Sequence, residues 1–400
     1  MKIAIVTAYP PSKSTLNEYG YHLVKKFVQK DEVSELVLIT DKTDKPKQLD
    51  FNNSHKVTVD QCWKFNSCLT VFMIVKAILK SKPDVVLFNL QFLKFGNKKI
   101  PAALGLLIPM ILKMFGYNTV VLLHNIIEQV NLIKTGFASS ELEKKIIRFF
   151  GTILTKCLLK ADVVVVSLNK YVDVLNTKYK TNNVISIPYG AFEASHKVNF
   201  DLPLGPKKIL AFGKFGTYKK LDVAIEAIKL IRQNNTDLVE LVIAGTDSPN
   251  APGYMESIKE KYSDHEGITF MGYVKENDVE KVFSDCAVVA LPYTCTTGSS
   301  GVLHLAGTYG KAVAMPNIAD FDQLSDEEGY KGEFFNPESS NSLAKAIKVL
   351  LFNDEYRVRL ARANYYTARN LSMDKTVDMY LDKIKEIQTN KIKKLVVSNV

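Results

Sequence analysis

Short β-branched runs alternate with helix-length amphipathic stretches along nearly the whole chain, and this alternation restricts the fold more than any single motif. In the first half the strand-like runs fall at residues 3–7, 35–40, 85–89, 119–123, 162–167 and 184–187, with helical patterns at 18–29, 69–80, 100–115 and 139–159. The second half repeats the plan, with runs at 209–212, 241–244, 268–271, 287–291, 312–315 and 332–335. Helical patterns there cover 221–232, 254–262, 278–284, 302–309, 340–352 and 354–370. Strands that are apolar on both faces and alternate with helices are the signature of a parallel sheet covered on both sides. The expectation is an α/β protein with two doubly wound domains, 1–195 and 206–371, facing each other across a cleft lined by the carboxyl ends of their strands. The boundary falls in SHKVNFDLPLGPKK, which is polar and carries two prolines. A last helical stretch, 373–389, comes after the second sheet is complete, so 372–400 is read as a helix and tail that cross back to the first domain.

Residues 292–316 read PYTCTTGSSGVLHLAGTYGKAVAMP. A strand ends, small polar residues with Gly298 and Gly301 follow, and a helix leads into the next strand. Such a loop aims backbone N–H groups at one point at the positive end of a helix, where the natural ligand is a phosphate or diphosphate. Gly and Ser also build ordinary tight turns, so the loop alone leaves both readings open. Three more features close strands of the same half. Gly213-Lys214-Phe215-Gly216-Thr217-Tyr218-Lys219-Lys220 reads either as a phosphate-neutralising loop or as a solvated basic turn. LVIAG ends in Gly245, read as a tight turn rather than a ligand contact. At Met271-Gly272-Tyr273-Val274 a strand turns outward and leaves backbone groups that can read a base edge.

In the first half, His124 ends the apolar run VVLLHN, which places it at a carboxyl strand end rather than inside the core, with Asn125 and Glu128 nearby. The loop after the first strand, YPPSKST, lies at the same rim and offers Ser14 and Thr15, with Asn17 and Glu18 just beyond. Its hydroxyls serve equally as helix caps. The two residues beyond it serve equally as acceptor contacts or as solvated side chains.

Length and composition remove several classes. At 400 residues the chain suits two domains of roughly 200 residues each. It is 46% hydrophobic and 24% charged, a globular balance. Cys62, Cys68, Cys157, Cys286 and Cys295 form no Cys-x-x-Cys pair, which points to a reduced, cytosolic compartment and no metal site. The net charge of +10 comes mostly from lysine and reads as a solvated surface, an anionic membrane contact or a phosphorylated substrate. No nucleic-acid recognition motif accompanies it, so nucleic acid is not an expected partner. Gly-x-x-x-x-Gly-Lys-Ser/Thr and Gly-x-Gly-x-x-Gly are both missing, against a P-loop nucleotidase and a nicotinamide dehydrogenase. No triad order, nucleophile elbow or zinc spacing stands out. Met1 leads directly into a strand, so no signal peptide is read. The most apolar segment, 100–115, is interrupted by Pro101, Pro109 and Lys113 and reads as a packed or interfacial helix.

Taken in order, these motifs resemble the retaining, nucleotide-sugar-dependent glycosyltransferases of family 4 (group 1), which have the two-domain GT-B fold of Rossmann-like halves. IAIVTAYPP is similar to the family's first strand and loop. LKADVVVVSLNKYVDVL and VISIPYGAFE resemble its late N-domain motifs, and AFGKFGTYKKLDVAIEAI, LVIAGTD, ITFMGYVKENDVEKVFSDCAVVALPY and the loop through GKAVAMP resemble its C-domain in order and spacing. The resemblance covers almost the whole chain. It implies an N-terminal acceptor domain and a C-terminal nucleotide-sugar domain. In it, Lys214 and Lys219 hold the donor diphosphate beside Gly213, and Thr297, Gly298, Ser299, Ser300 and Gly301 meet the same phosphates. Met271, Gly272, Tyr273 and Val274 face the base. His124 lies near the donor sugar and joins the two lysines as the residues expected to carry catalysis. Ser14, Thr15 and Glu18 lie on the acceptor side. It further implies no resident cofactor, since the nucleoside diphosphate sugar is a substrate, and a glycan or lipid-linked acceptor. The expected location is cytoplasmic, with peripheral contact at the inner face of the cell membrane. Lysine charge and the 100–115 segment are the features expected to make that contact.

Three departures from the family pattern matter. The two glutamates that flank the family's glycine loop are replaced by Thr297 and Leu305, and His304, next to the second position, is the donor-binding residue that would substitute there. Ser14-Thr15 replaces a Gly-Gly, and Lys220 replaces a Gly. Leu305 is expected to pack inward, with His304 of little consequence beyond the loop's geometry. A non-catalytic nucleotide-sugar-binding homologue or partner subunit is the alternative reading.

Overall fold

The computed structural model describes residues 1–398 apart from 13, 195, 203, 234–238 and 297. The chain divides into two compact units. The first comprises 1–129, 146–188 and the chain from 373 onward, and the second comprises 130–145 and 189–372.

The first unit is built on seven strands: β1 (Lys2–Val6), β2 (Glu35–Asp41), β3 (Val57–Trp63), β4 (Val85–Leu90), β5 (Asn118–Leu123), β6 (Val163–Val166) and β7 (Val184–Ser186). They form one parallel sheet in the order β3-β2-β1-β4-β5-β6-β7. Ala4 of β1 lies opposite Val37 on one side and Val86 on the other. The order reverses between β1 and β4, so the loops leaving these two strands diverge and open a crevice at their carboxyl ends. β4 and β5 are buried along their whole length, which is why their runs are apolar at every position that faces a helix. β3 has no counterpart among the strands expected from sequence. It is an edge strand, VTVDQCW, in which only Trp63 is buried, so its apolar signal is diluted by Thr58, Asp60 and Gln61. The helix Asn169–Tyr179 was likewise not expected, because it buries only Tyr171 and Leu175.

The apolar segment at 100–115 is two helices, Lys99–Leu106 and Ile108–Met114. Pro109 has no N–H to donate to the preceding turn, so the helix restarts there. This pair packs inward through Ala102, Leu106, Ile108 and Leu112, while Ile100 and Met114 are exposed. The C-terminal helix, Met373–Ser398, belongs to the first unit. Val377, Tyr380, Leu381 and Ile384 are buried, and the Tyr380 ring lies 6.3 Å from that of Phe27 on the helix Asn17–Phe27. Lys30 pairs with Asp374 at 3.1 Å and Asp378 at 2.6 Å, fixing the register of that return.

The second unit holds a six-stranded parallel sheet: β8 (Lys207–Phe215), β9 (Val239–Asp247), β10 (Ile268–Gly272), β11 (Val288–Ala290), β12 (Ala312–Pro316) and β13 (Glu333–Phe335). Its order, β10-β9-β8-β11-β12-β13, again reverses at the first strand, between β8 and β11. The helix Leu221–Arg232 buries Leu221, Ala224, Ile225, Ile228 and Ile231, spaced three and four residues apart as one helical face requires. That face and the helix Ser340–Phe352 share a core with Ile209, Leu241, Ile243 and Val288. Residues 130–145 fold onto this unit, with Asn250 Nδ2 donating to the Thr135 carbonyl at 3.2 Å and Lys134 pairing with Glu338 at 2.7 Å.

Candidate functional site

Strands β8 and β9 run further than the sequence suggests and carry the first site residues inside the sheet. Gly213 lies opposite Gly245, Lys214 opposite Thr246 and Phe215 opposite Asp247. The expected tight turn at Gly245 is therefore corrected: the residue is in paired strand. At φ 151° a Cβ added to Gly245 would lie 1.8 Å from the Gly213 carbonyl oxygen, so the site needs glycine for close approach of two backbones. Lys214 is exposed and Lys219 partly buried.

The loop after β8 is sewn to the loop after β11. Lys219 and Tyr293 form an antiparallel bridge, the Lys220 N–H donates to the Pro292 carbonyl at 2.9 Å, and the Thr294 N–H to that of Tyr218 at 2.8 Å. This stitching sets the Lys219 ammonium 4.5 Å from the centre of the Tyr293 ring and 3.1 Å from the place a Cβ on Gly213 would occupy. Burial pushes its pKa below the ordinary lysine value, partly offset by Tyr218. Among the described residues no carboxylate pairs with Lys219, so a partly desolvated cation lies beside two aromatic rings at the reversal point of the sheet.

Beyond β11 the chain passes through Gly298, at φ 137°, into the helix Gly301–Thr308. Ser300 caps that helix, its side chain accepting from the Leu303 N–H at 3.4 Å. Thr297 lies outside the described residues. His304 is buried and holds the loop from beneath: one ring nitrogen is 2.9 Å from the Ser299 hydroxyl and the other 2.8 Å from that of Tyr330. Tyr189 stacks on the imidazole at 4.8 Å. Burial lowers the His304 pKa to about 3, so the ring is neutral at physiological pH. The expectation that Leu305 packs inward is corrected here, and His304 is seen to act on the loop's geometry. Leu305 is only partly buried, and the imidazole ties the glycine loop to the core.

Glu328 adds a group that sequence reading missed. Its side chain is 4% exposed and lies 3.6 Å from His304 Nε2, yet neither carboxylate oxygen has a hydrogen-bond partner. Burial, reinforced by Glu327, raises its pKa to about 8. With the imidazole neutral and the acid largely protonated near pH 7, the two are neutral neighbours and not an ion pair.

The base-side residues follow the edge strand β10. Met271 and Tyr273 are exposed, Gly272 has φ 72°, and the register of β10 on β9 slips between Phe270 and Gly272. Gly272 still lies opposite Ala244, so the ladder ends one residue beyond the slip and the chain bends away at 273.

In the first unit, His124 follows β5 at the rim. Its Nε2 lies 2.6 Å from Asn89 Oδ1, and Asn89 Nδ2 donates to the Thr7 hydroxyl at 2.9 Å. This chain fixes the amide orientation, so Nε2 carries the proton and Nδ1 is the ring's acceptor. Burial first, and the Lys94 charge second, lower the His124 pKa to about 3. Lys94 is itself buried after β4 and donates to the Thr15 carbonyl at 2.8 Å, joining the N-terminal loop to this rim. Ser12 and Ser14 donate to Asp41 at the end of β2, which also pairs with Lys47 at 3.2 Å. Glu18 accepts from Asn17 Nδ2 at 3.4 Å. Glu128 is turned away from this rim into a pairing with Lys178 and Tyr179. Buried Lys94 and Lys47 were legible only as two lysines among many, because nothing local in sequence marks a cation that will be covered.

Residues 206–353 match the model of the family described as Glycosyl transferases group 1. No curated protein matches the sequence. Solved structures share the fold over the full chain. Sucrose-phosphate synthase from Thermosynechococcus elongatus superposes with a TM-score of 0.72 at 15% identity, covering 100% of both chains. HepE of Anabaena, solved in complex with UDP and glucose, gives 0.70 at 13% identity over 96% of this chain and 99% of that one. A glycosyltransferase from Rickettsia africae gives 0.68 at 17% identity over 97% and 99%. The chain is an α/β protein of the GT-B fold. The match to the group 1 glycosyltransferase model lies within the second unit, and glycosyl transfer is the chemistry it supports. Among the described residues no helix is long and apolar enough to cross a membrane.

Proposed function

We propose that the chain is a retaining glycosyltransferase that moves a sugar from a nucleoside diphosphate sugar to an acceptor hydroxyl in polysaccharide or glycolipid assembly. The observation that carries the reading is Lys219, a desolvated ammonium without a carboxylate partner among the described residues, in a loop stitched to the glycine loop at the N-terminus of Gly301–Thr308. A diphosphate is the counter-ion that such a cation and such a helix end both favour.

Chemically, the sugar's anomeric carbon–oxygen bond to the diphosphate breaks as the bond to the acceptor oxygen forms on the same face. The acceptor's proton passes to the departing phosphate oxygen. The transition state gathers positive charge on the sugar and negative charge on the leaving group. Lys219, Lys214 and the amides of 298–301 stabilise that leaving group, and Met271 to Val274 take the base. His124, neutral with Nδ1 as acceptor, serves the donor sugar, and Ser14, Thr15 and Glu18 serve the acceptor. The first unit is the acceptor domain in this reading. The acceptor is a glycan or a lipid-linked glycan met at an anionic membrane surface from the cytoplasmic side. UDP, which HepE binds, is the first nucleotide to try.

The test is incubation with a panel of nucleoside diphosphate sugars, following release of the nucleoside diphosphate and the anomeric configuration of the product by proton NMR. Release with retention supports the reading, whereas an inverted product refutes it. Leu305, standing where the family has a carboxylate, favours a second reading, a nucleotide-sugar-binding subunit without turnover. Tight binding with no release from any donor would support that one.

A further inference from the structure

Helix Glu141–Leu158 covers little of its own surface. It buries only Gly151, Thr155 and Leu158, on one narrow face. Gly151 is seated against Ile127, whose side chain would lie 2.8 Å from an added Cβ, so the helix can lie this close only because that position has no side chain. Arg148 donates to the carbonyls of Ile127 and Glu128 at 3.0 Å each. Those two residues follow His124 by three and four positions. The helix is thus clamped to the segment that leaves the carboxyl end of β5, the rim that carries His124.

Its opposite face is apolar and open. Ile146 is 47% exposed, Phe149 64%, Phe150 59% and Ile153 44%, and their spacing of three, four and seven residues puts them on one stripe. Lys156 is exposed one turn on, and Lys160 just past the helix end. Leaving two phenylalanines more than half exposed on a single helix is costly in water unless something covers them. The stripe runs along a single helix. Its apolar centre and lysine margin are those of a helix lying in the plane of a bilayer surface, with rings among the acyl chains and ammoniums at anionic headgroups. The net charge of +10 adds attraction of the same sign.

We infer that the exposed face of Glu141–Leu158, centred on Phe149 and Phe150, is a docking surface for an anionic lipid bilayer. It joins the 100–115 segment, whose Ile100, Met114 and Phe115 are also exposed, as an element that makes this contact. The inference deepens the lipid-linked acceptor reading above, by placing the docking helix on the segment after His124, but the docking itself needs no donor, acceptor or turnover.

The experiment is sedimentation of the full chain with vesicles of phosphatidylcholine alone or mixed with phosphatidylglycerol, in the absence of nucleotide sugar. The chain is expected to bind the anionic vesicles, to release as salt rises, and to lose at least about tenfold in partitioning in F149S/F150S, whose circular dichroism and melting should match the parent. Phe72→Ser, at an exposed ring on a different helix, is expected to bind as the parent does. Equal binding of F149S/F150S and parent, or no binding to phosphatidylglycerol vesicles, overturns the inference. So does a parent dimer, seen by light scattering without lipid, that F149S/F150S converts to monomer, because the stripe would then be covered by a second copy. Donor turnover measured without membranes leaves this test untouched, so failure of either reading can be told from failure of the other.

Discussion

Replacing Lys219 with Met keeps the side chain's length and its packing over Tyr293 while removing the charge. In the free protein the ammonium is desolvated, lies 4.5 Å from the ring centre and has no carboxylate partner among the described residues. Losing the cation–π attraction costs about 1–2 kcal/mol, and relief of burying the charge offsets much of it, so the melting temperature of the free protein should move little. With a diphosphate bound the balance is different. A hydrogen bond to a charged group contributes about 1.5–3 kcal/mol, so Lys219→Met should weaken nucleoside diphosphate binding roughly ten- to hundredfold. The pH dependence gives an independent reading. Burial holds the free Lys219 below its ordinary pKa, and a bound diphosphate favours the ammonium. Binding should therefore take up protons in the window between the lowered pKa and the ordinary value near 10.5, and affinity should fall as pH rises through it. Calorimetry at several pH values below 10.5, each in two buffers of different ionisation enthalpy, measures this, with Lys219→Met losing both the affinity and the proton uptake. Unchanged affinity in Lys219→Met, with the parent showing no linked proton, would refute the reasoning.

Two further outcomes follow from buried groups in the second unit. Gly245→Ala places a methyl 1.8 Å from the Gly213 carbonyl oxygen at a φ that disfavours side chains, so the β8–β9 ladder must part. Urea unfolding should show a loss of about 2 kcal/mol or more, and a variant as stable as the parent would contradict the close approach. Glu328 has a folded pKa of about 8 against an ordinary value of 4.5, so the stability it allows is fully present below pH 4.5 and is lost as pH rises through about 8. Glu328→Gln should flatten that slope and be more stable at pH 9, by an amount on the order of a few kcal/mol, and an unaltered melting profile between pH 5 and 9 would count against it.

What the sequence revealed and what it hid follow from how far each signal reaches along the chain. β4, β5 and β12 are apolar at almost every position because helices cover both faces, and that pattern is local. β3 was missed because an edge strand needs only one apolar row. The glycine loop and Lys219 stood out because they sit at strand ends. Gly245 looked like a turn because its partner, Gly213, is distant in sequence and the clash with its carbonyl exists only in the paired sheet. The anchoring contacts of His304 were hidden for the same reason. Its stack on Tyr189 and hydrogen bond to Tyr330 join three separate stretches of chain. SDEEGY reads as a solvated acidic turn, and nothing local shows that Glu328 will be covered. The exposed stripe of the helix Glu141–Leu158 was visible as a helical pattern, but its lack of a covering partner was not.

The central claim is that the second unit binds a nucleoside diphosphate at the junction of β8 and the glycine loop. The measurement that tests it most directly is a crystal structure of the chain with a nucleoside diphosphate bound. The account predicts phosphate oxygens within hydrogen-bond distance of Lys219 Nζ and of backbone N–H groups in 298–301, with the base against 271–274. A nucleotide bound elsewhere, leaving Lys219 over Tyr293 with no anion, would contradict it.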